Sequence, residues 1–272
     1  MRTGSRGQLV VIGGAESRRD QSIILAEFVR RAGGAAARIV VFPIASQTPI
    51  QTGGKYQDIF GRLGVEEVEV VQIGSRADAN SEPVLAALEA ASGVFFTGGD
   101  QRRITSILGG TEVDSLLHSR VEQGLVLAGT SAGAAMMAST MIVGGIPEST
   151  LRVGMVELGP GMEFLSGVIV DQHFEERGRL RRLLSAVAQY PHELGIGIDE
   201  DTALIVDGHR ARVLGSGSVT IVDASSLSYT NIAENGVHKN DVLALCGIRL
   251  HVLPGGYRFD LAKRCLLDES PD

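Results

Sequence analysis

Gly129-Thr130-Ser131-Ala132-Gly133 sets a serine hydroxyl between glycines, after the apolar run 125–128 and before the small-residue, helix-compatible run 134–138. These residue types at this spacing make a nucleophile elbow. A serine on a sharp strand-to-helix turn stands clear of its neighbours, and the glycines admit a strained backbone while leaving room for a substrate. The helix that follows adds its positive N-terminal end. Such a serine attacks a carbonyl carbon, for which it needs an imidazole to take its proton and an acceptor to orient that imidazole. In a chain with 35 glycines the pattern alone decides little, and the partners must be found elsewhere.

The strongest imidazole is His173, in the run Val168-Ile169-Val170-Asp171-Gln172-His173-Phe174, where an apolar strand ends in acid, amide and imidazole. If the strand persists, its two-residue period puts Asp171 and His173 on one face and Gln172 on the other. Downstream, Leu180, Leu183, Leu184 and Val187 fall at helical spacing and predict a buried stripe. On that helix Arg179 and Arg182 lie about 60° apart on one flank, with Arg181 on the other. The orienting acid is sought in the run Asp199-Glu200-Asp201, at the end of the strand expected over 196–199; the local pattern leaves the choice among the three open. Serine, histidine, then acid is not the chain order of the α/β-hydrolases, so the elbow is expected without that fold.

Gly98-Gly99-Asp100-Gln101 also closes a strand before a helix. There Gly99 is a candidate to donate one backbone N–H to an oxyanion, with Ala132 as the second donor. Gly13-Gly14 ends the first strand without a complete dinucleotide or P-loop signature, and both glycines read as turn residues.

The elements that must position these groups alternate. Strands are expected at 9–12, 38–42, 68–73, 94–97 and 125–129, and helices at 22–31, 55–63, 83–91 and 112–122. This implies a mostly parallel sheet with helices on both faces, an α/β fold with ligands gathered at the carboxyl ends of the strands. Beyond about residue 195 come short strands with turn signals, at 196–199, 203–206, 211–214, 219–222, 248–253 and 258–261. They read as antiparallel additions to the same sheet, so residues 8–272 are expected to form one domain behind a short polar tail, 1–7.

Composition narrows the functional class. A net charge of −7 argues against a nucleic-acid partner. No apolar run of signal or membrane-spanning length occurs, which predicts a cytoplasmic protein. Six histidines without ligand spacing predict no metal, and the chemistry outlined needs no cofactor. Cys246 and Cys265 lack C-x-x-C spacing and are expected to be buried free thiols.

Taken together, Gly98 to Gln101, Gly129 to Ala134, Asp171 to Phe174 with Arg177, Arg179 and Arg182, and Gly195 to Ala203 resemble the cyanophycinases, within the wider peptidase E-like serine hydrolases. The serine and glycine turns are shared across that wider group. The Asp-Gln-His-Phe run with its spaced arginines is the specific part. The resemblance implies a glutamine-amidotransferase-like fold, a homodimer, and a triad of Ser131, His173 and Glu200, with Glu200 resting on the resemblance alone. It implies the polymer cyanophycin, an aspartate backbone with arginine on each β-carboxylate, as substrate, released as β-aspartyl-arginine. It further implies substrate contacts at Gln101, Asp171, Gln172, Arg177, Arg179 and Arg182. A substrate with both charge signs suits such a set, arginines gripping carboxylates and an acid such as Asp171 receiving guanidinium. The alternatives are an aspartyl or isoaspartyl dipeptidase of the same fold and a catalytically silent cyanophycin-binding protein.

Overall fold

The computed structural model describes residues 7–17, 22–145 and 150–267, so the polar tail lies, but for Gly7, outside the described residues. The first half runs β1 (Gln8–Ile12), α1 (Ile23–Ala32), β2 (Arg38–Phe42), α2 (Pro49–Arg62), β3 (Glu67–Val70), α3 (Glu82–Ala90), β4 (Gly93–Phe96), α4 (Gln101–Leu108), α5 (Glu112–Glu122) and β5 (Val126–Thr130). Then come α6 (Ala132–Ala135), β6 (Ala138–Gly145), β7 (Val156–Pro160), β8 (Leu165–Gln172), α7 (Leu180–Gln189), β9 (Leu194–Ile198), β10 (Thr202–Asp207), β11 (Arg210–Gly215) and β12 (Ser218–Asp223). The chain closes with β13 (Tyr229–Thr230), β14 (Leu245–Cys246), β15 (Arg249–Pro254), β16 (Arg258–Asp260) and β17 (Cys265–Leu266).

Two principal sheets form instead of one extended sheet. The first has the order β17-β16-β11-β10-β1-β5-β4-β2-β3 and is parallel from β1 to β3. The second has the order β15-β12-β9-β8-β6-β7, with β6, β8 and β9 parallel. The C-terminal strands are antiparallel as expected, but they divide: β10, β11, β16 and β17 extend the first sheet while β12 and β15 extend the second. The chain crosses from β9 in one sheet to β10 in the other at Asp199-Glu200-Asp201, a change of partner that strand periodicity does not encode.

Layering follows from which faces are apolar. Val10, Ile12, Val41 and Phe95 face α1 and α2, where Phe28, Tyr56 and Phe60 form an aromatic cluster with Phe95 at centroid spacings of 4.6 to 6.2 Å. The other face carries Leu9, Val11, Phe96 and Leu127 against α4, α5, α6 and the inner residues of the second sheet. Each fully buried large apolar side chain contributes about 2 to 3 kcal/mol. Outside the second sheet, α7 buries Leu183, Ala186 and Val187. Leu180, the first residue of α7, is exposed and Leu184 only partly buried, so the buried stripe is narrower than the spacing predicts.

Several boundaries move. α2 begins at Pro49, six residues before the expected start, since proline suits the first helical turn and Gly53 packs against the Val70 side chain. The run after Ser131 gives only one helical turn before β6. Cys246 and Cys265 are free but exposed, because both lie on short peripheral strands.

Candidate active site

Ser131 follows the last residue of β5 and caps α6, with φ +52°. That angle is costly for a residue with a Cβ, and such strain persists only where the surroundings impose it. Here the restraint is visible: the Ser131 N–H donates to the Ile12 carbonyl at 3.0 Å. β8 stops at Gln172, and His173 turns out of the strand at φ +48°. The two-residue period that would put Asp171 and His173 on one face is therefore broken at His173.

The turn frees the imidazole to lie between the other two groups. His173 Nε2 is 3.0 Å from Ser131 Oγ, and Nδ1 is 2.6 Å from Glu200 Oε1. An ionised carboxylate only accepts, so Nδ1 carries the proton and Nε2 is left to accept from the serine hydroxyl. Of the three acids left open by the sequence, only Glu200 meets the imidazole. Asp199 is buried and accepts from the Glu175 and Ser218 amides, and Asp201 accepts from Ser17 and Ser216. The Glu200 amide in turn donates to the carboxylate of Glu176, at 3.1 and 3.2 Å from its two oxygens.

One turn places all three chain segments. The carbonyls of Ile12, Gly13 and Gly14 accept from the amides of Ser131, His173 and Asp201 at 3.0, 2.8 and 2.9 Å. A Cβ on Gly13 would fall 2.0 Å from the Asp199 carbonyl oxygen, and one on Gly14, at φ +108°, would fall 2.4 Å from His173 Cε1. Gly13-Gly14 is thus more than the strand-end turn read from the sequence. The signal available was its place at the carboxyl end of a strand beside the elbow strand in a parallel sheet.

Of the expected oxyanion donors, Ala132 opens α6, where first-turn amides have no intrahelical acceptor. Gly99 has φ +145° and its backbone packs on the Ala45 carbonyl. Its neighbour Gly98 is the glycine beside Ser131: a Cβ there would lie 3.4 Å from Ser131 Cβ.

Asp171 is fully buried. Arg182 engages it as a fork, Nε to Oδ2 at 2.9 Å and Nη2 to Oδ1 at 2.8 Å, and Arg179 Nη1 reaches Oδ1 at 3.1 Å. The carboxylate holds two guanidinium groups and has no free edge for a substrate guanidinium, which alters the role expected for it. Arg179 also donates to the Gln172 side chain at 2.8 Å. Burial pulls its pKa below the usual arginine range, and Asp171 opposes that shift. Arg177 is exposed on the same segment, and Gln101, at the start of α4, donates to the Ile142 carbonyl at 2.7 Å. Among the described residues no cluster of three or more potential ligands is placed to hold a metal.

On the other side of Ser131 lies a cavity of about 260 Å³, lined by Ala15, Thr52, Lys55, Tyr56, Gly98 and Thr130 together with Ser131 and His173. A hollow of about 310 Å³ lined by Arg31, Asp207, Arg210, Arg212 and Arg258 has neither nucleophile nor imidazole in its wall and lies far from this chemistry.

A strained serine, an imidazole and an acid converging at the carboxyl ends of parallel strands define the hydrolase class with a serine nucleophile. Solved structures share the fold: a peptidase from an acI-B1 Actinobacterium aligns with TM-score 0.69 at 20% identity, over 95% of this chain and 98% of that one. A Listeria monocytogenes protein assigned to peptidase E aligns with TM-score 0.54 at 15% identity, over 77% of this chain and 98% of that one. The family model for peptidase family S51 matches residues 9–214, and the chain belongs to that family. Among curated relatives, the cyanophycinases of Trichormus variabilis and Nostoc sp. are each 46% identical over 98% of this chain and 90% of their own length. The cyanophycinase of Synechococcus elongatus is 43% identical over 95% of this chain and 80% of its own.

Proposed function

We propose that the chain is a serine peptidase that hydrolyses cyanophycin to β-aspartyl-arginine. The observation that carries this reading is the contact of Ser131, His173 and Glu200 a few residues from the arginines on Asp171. Its relatives named cyanophycinase support the choice of substrate.

Ser131 Oγ attacks the backbone carbonyl carbon as His173 Nε2 takes its proton, and Glu200 holds the resulting imidazolium. Amides at Ala132 and in the 98–99 turn receive the oxyanion. Collapse breaks the C–N bond, and His173 returns its proton to the leaving amine. Water, deprotonated by His173, then cleaves the serine ester and restores the hydroxyl.

Arg177, Arg179, Arg182, Gln101 and Gln172 bind the substrate beside this centre. Asp171 acts through Arg179 and Arg182 by fixing their direction, so that the forks meet carboxylates without reorganising. The homodimer and the cytoplasmic setting belong to the same proposal.

The test is mass spectrometry of products from insoluble cyanophycin. Aspartyl-arginine dipeptide from the unaltered protein and none from Ser131→Ala is the expected result. Dipeptide from both would refute the nucleophile, and none from either would refute the substrate.

A further inference from the structure

We propose that the cavity beside Ser131 is a second carboxylate subsite, with Lys55 as its cation. The inference rests on the peptidase reading and adds a substrate contact on the flank opposite the arginines.

The opposition follows from the layers. Lys55 belongs to α2, which packs on the outer face of the first sheet through Tyr56 and Phe60. Arg179 and Arg182 lie at the start of α7, which covers the second sheet on the far side of the first. None of the arginines contributes to the cavity wall, whereas Ser131 and His173 both do. The reacting atoms therefore sit between two cationic walls.

The Lys55 wall is built. Thr52, Lys55 and Tyr56 stand three and four residues apart, on one face of α2. Tyr56 is buried and its hydroxyl donates to Glu16 Oε1 at 2.5 Å. The Thr130 hydroxyl donates to Glu16 Oε2 at 2.5 Å, so both oxygens of this buried acid receive donors from residues of the cavity wall. The Thr52 hydroxyl bonds Ser46 at 2.8 Å. Lys55 itself is exposed and makes no ion pair among the described residues. It is one of only three lysines in a chain whose other cations are arginines.

A lone ammonium on a flexible stem beside a nucleophile meets an anion that arrives with the substrate. Cyanophycin supplies carboxylates of two origins: the arginine of every unit, and the backbone terminus of the last. With arginines on one flank and Lys55 on the other, a substrate with carboxylates on both sides of the scissile bond is held at both ends. That is the charge pattern of the polymer.

The test measures binding in the Ser131→Ala protein, where no turnover intervenes. Three ligands are compared: a trimer of β-aspartyl-arginine units, the same trimer with agmatine for arginine, and the trimer with its backbone terminus amidated. The expected result is that Lys55→Ala weakens the parent trimer about tenfold, the size of one hydrogen bond to a charged group, while Lys55→Arg restores most of it. It should leave unchanged whichever modified trimer lacks the carboxylate that Lys55 reads, and this identifies its origin. Equal loss for all three ligands, or loss for none, overturns the subsite. Hydrolysis of the parent trimer by the unaltered protein is scored separately: Lys55-dependent selectivity without hydrolysis keeps the subsite and rejects the peptidase.

Discussion

The two flanks of Ser131 use cations differently. On the second-sheet side Arg179 and Arg182 are tied to Asp171, a carboxylate with no exposed surface. On the first-sheet side Lys55, at the cavity wall, makes no ion pair among the described residues. A tied pair is aimed before a ligand arrives, so little ordering entropy remains to be lost on binding; an untied lysine can follow ligands of varied shape at the cost of being ordered each time. Under the proposed function the arginine flank fixes one group of the substrate, and the lysine flank tolerates variation.

Ser131, the proposed nucleophile, lies between the flanks, and removing its hydroxyl should separate binding from chemistry most sharply. Ser131→Ala is expected to lower turnover on the order of a million-fold while affinity for a cyanophycin oligomer stays within about threefold, since neither flank depends on the hydroxyl. Single-turnover kinetics with calorimetric binding checks this. A comparable loss of affinity would mean that the serine, and not the two walls, holds the substrate.

Asp171→Ala attacks the tied flank directly. It leaves two guanidinium groups facing a buried void, and breaking such a buried pair costs about 3 to 5 kcal/mol of stability. Denaturant unfolding should show that loss, and oligomer binding should weaken well beyond the effect of Lys55→Ala. Stability unchanged from the parent would show that the arginines relax to solvent and that the tie does not organise the flank.

Gly14→Ala tests the turn that places Ser131, His173 and the Glu200 segment between the flanks. The added Cβ would overlap the His173 ring, at a φ that disfavours any side chain. A displacement of about 1 Å at the imidazole lowers turnover about a hundredfold, with substrate affinity largely kept. Loss of affinity without loss of turnover would contradict this assignment.

The legibility of these parts differs for physical reasons. The elbow, the strand bearing Asp171 and the helix bearing the arginines are local patterns: a glycine-flanked serine, an apolar run, a helical spacing. They appear in the structure near their expected positions. The choice of Glu200 over its neighbours was not local. It depends on where the chain leaves the second sheet for the first, and on Glu176, which lies 24 residues away in sequence. The same holds for Gly13 and Gly14. Their significance comes from carbonyls that accept from residues more than 100 positions distant, and no window of sequence shows such pairs. Lys55 was missed because α2 was expected to begin there; the true start at Pro49 places it mid-helix, with Thr52 and Tyr56 on its face.

A tied cluster remote from the cleft completes the comparison. Glu27 on α1 is held by Arg30 and Arg31, with Arg212 reaching it from β11. The hydrogen bond from Arg30 is the main cause that brings its pKa down to about 2, and burial opposes the shift. A depressed carboxylate pKa means that the unfolded chain takes up its proton first as the pH falls. The stabilisation is therefore complete above the ordinary carboxylate value of 4.5 and is lost as the pH drops from there toward about 2. Glu27→Gln should cost about 1 to 2 kcal/mol at neutral pH, after allowance for solvent screening, and almost nothing below pH about 2. Its effect on oligomer hydrolysis should be nil, in contrast to Asp171→Ala. Thermal unfolding across that pH window, with turnover measured alongside, decides the point. If Glu27→Gln impaired hydrolysis as well, tying arginines to an acid would affect activity wherever it occurs, and the contrast between the two flanks would lose its connection to the cleft.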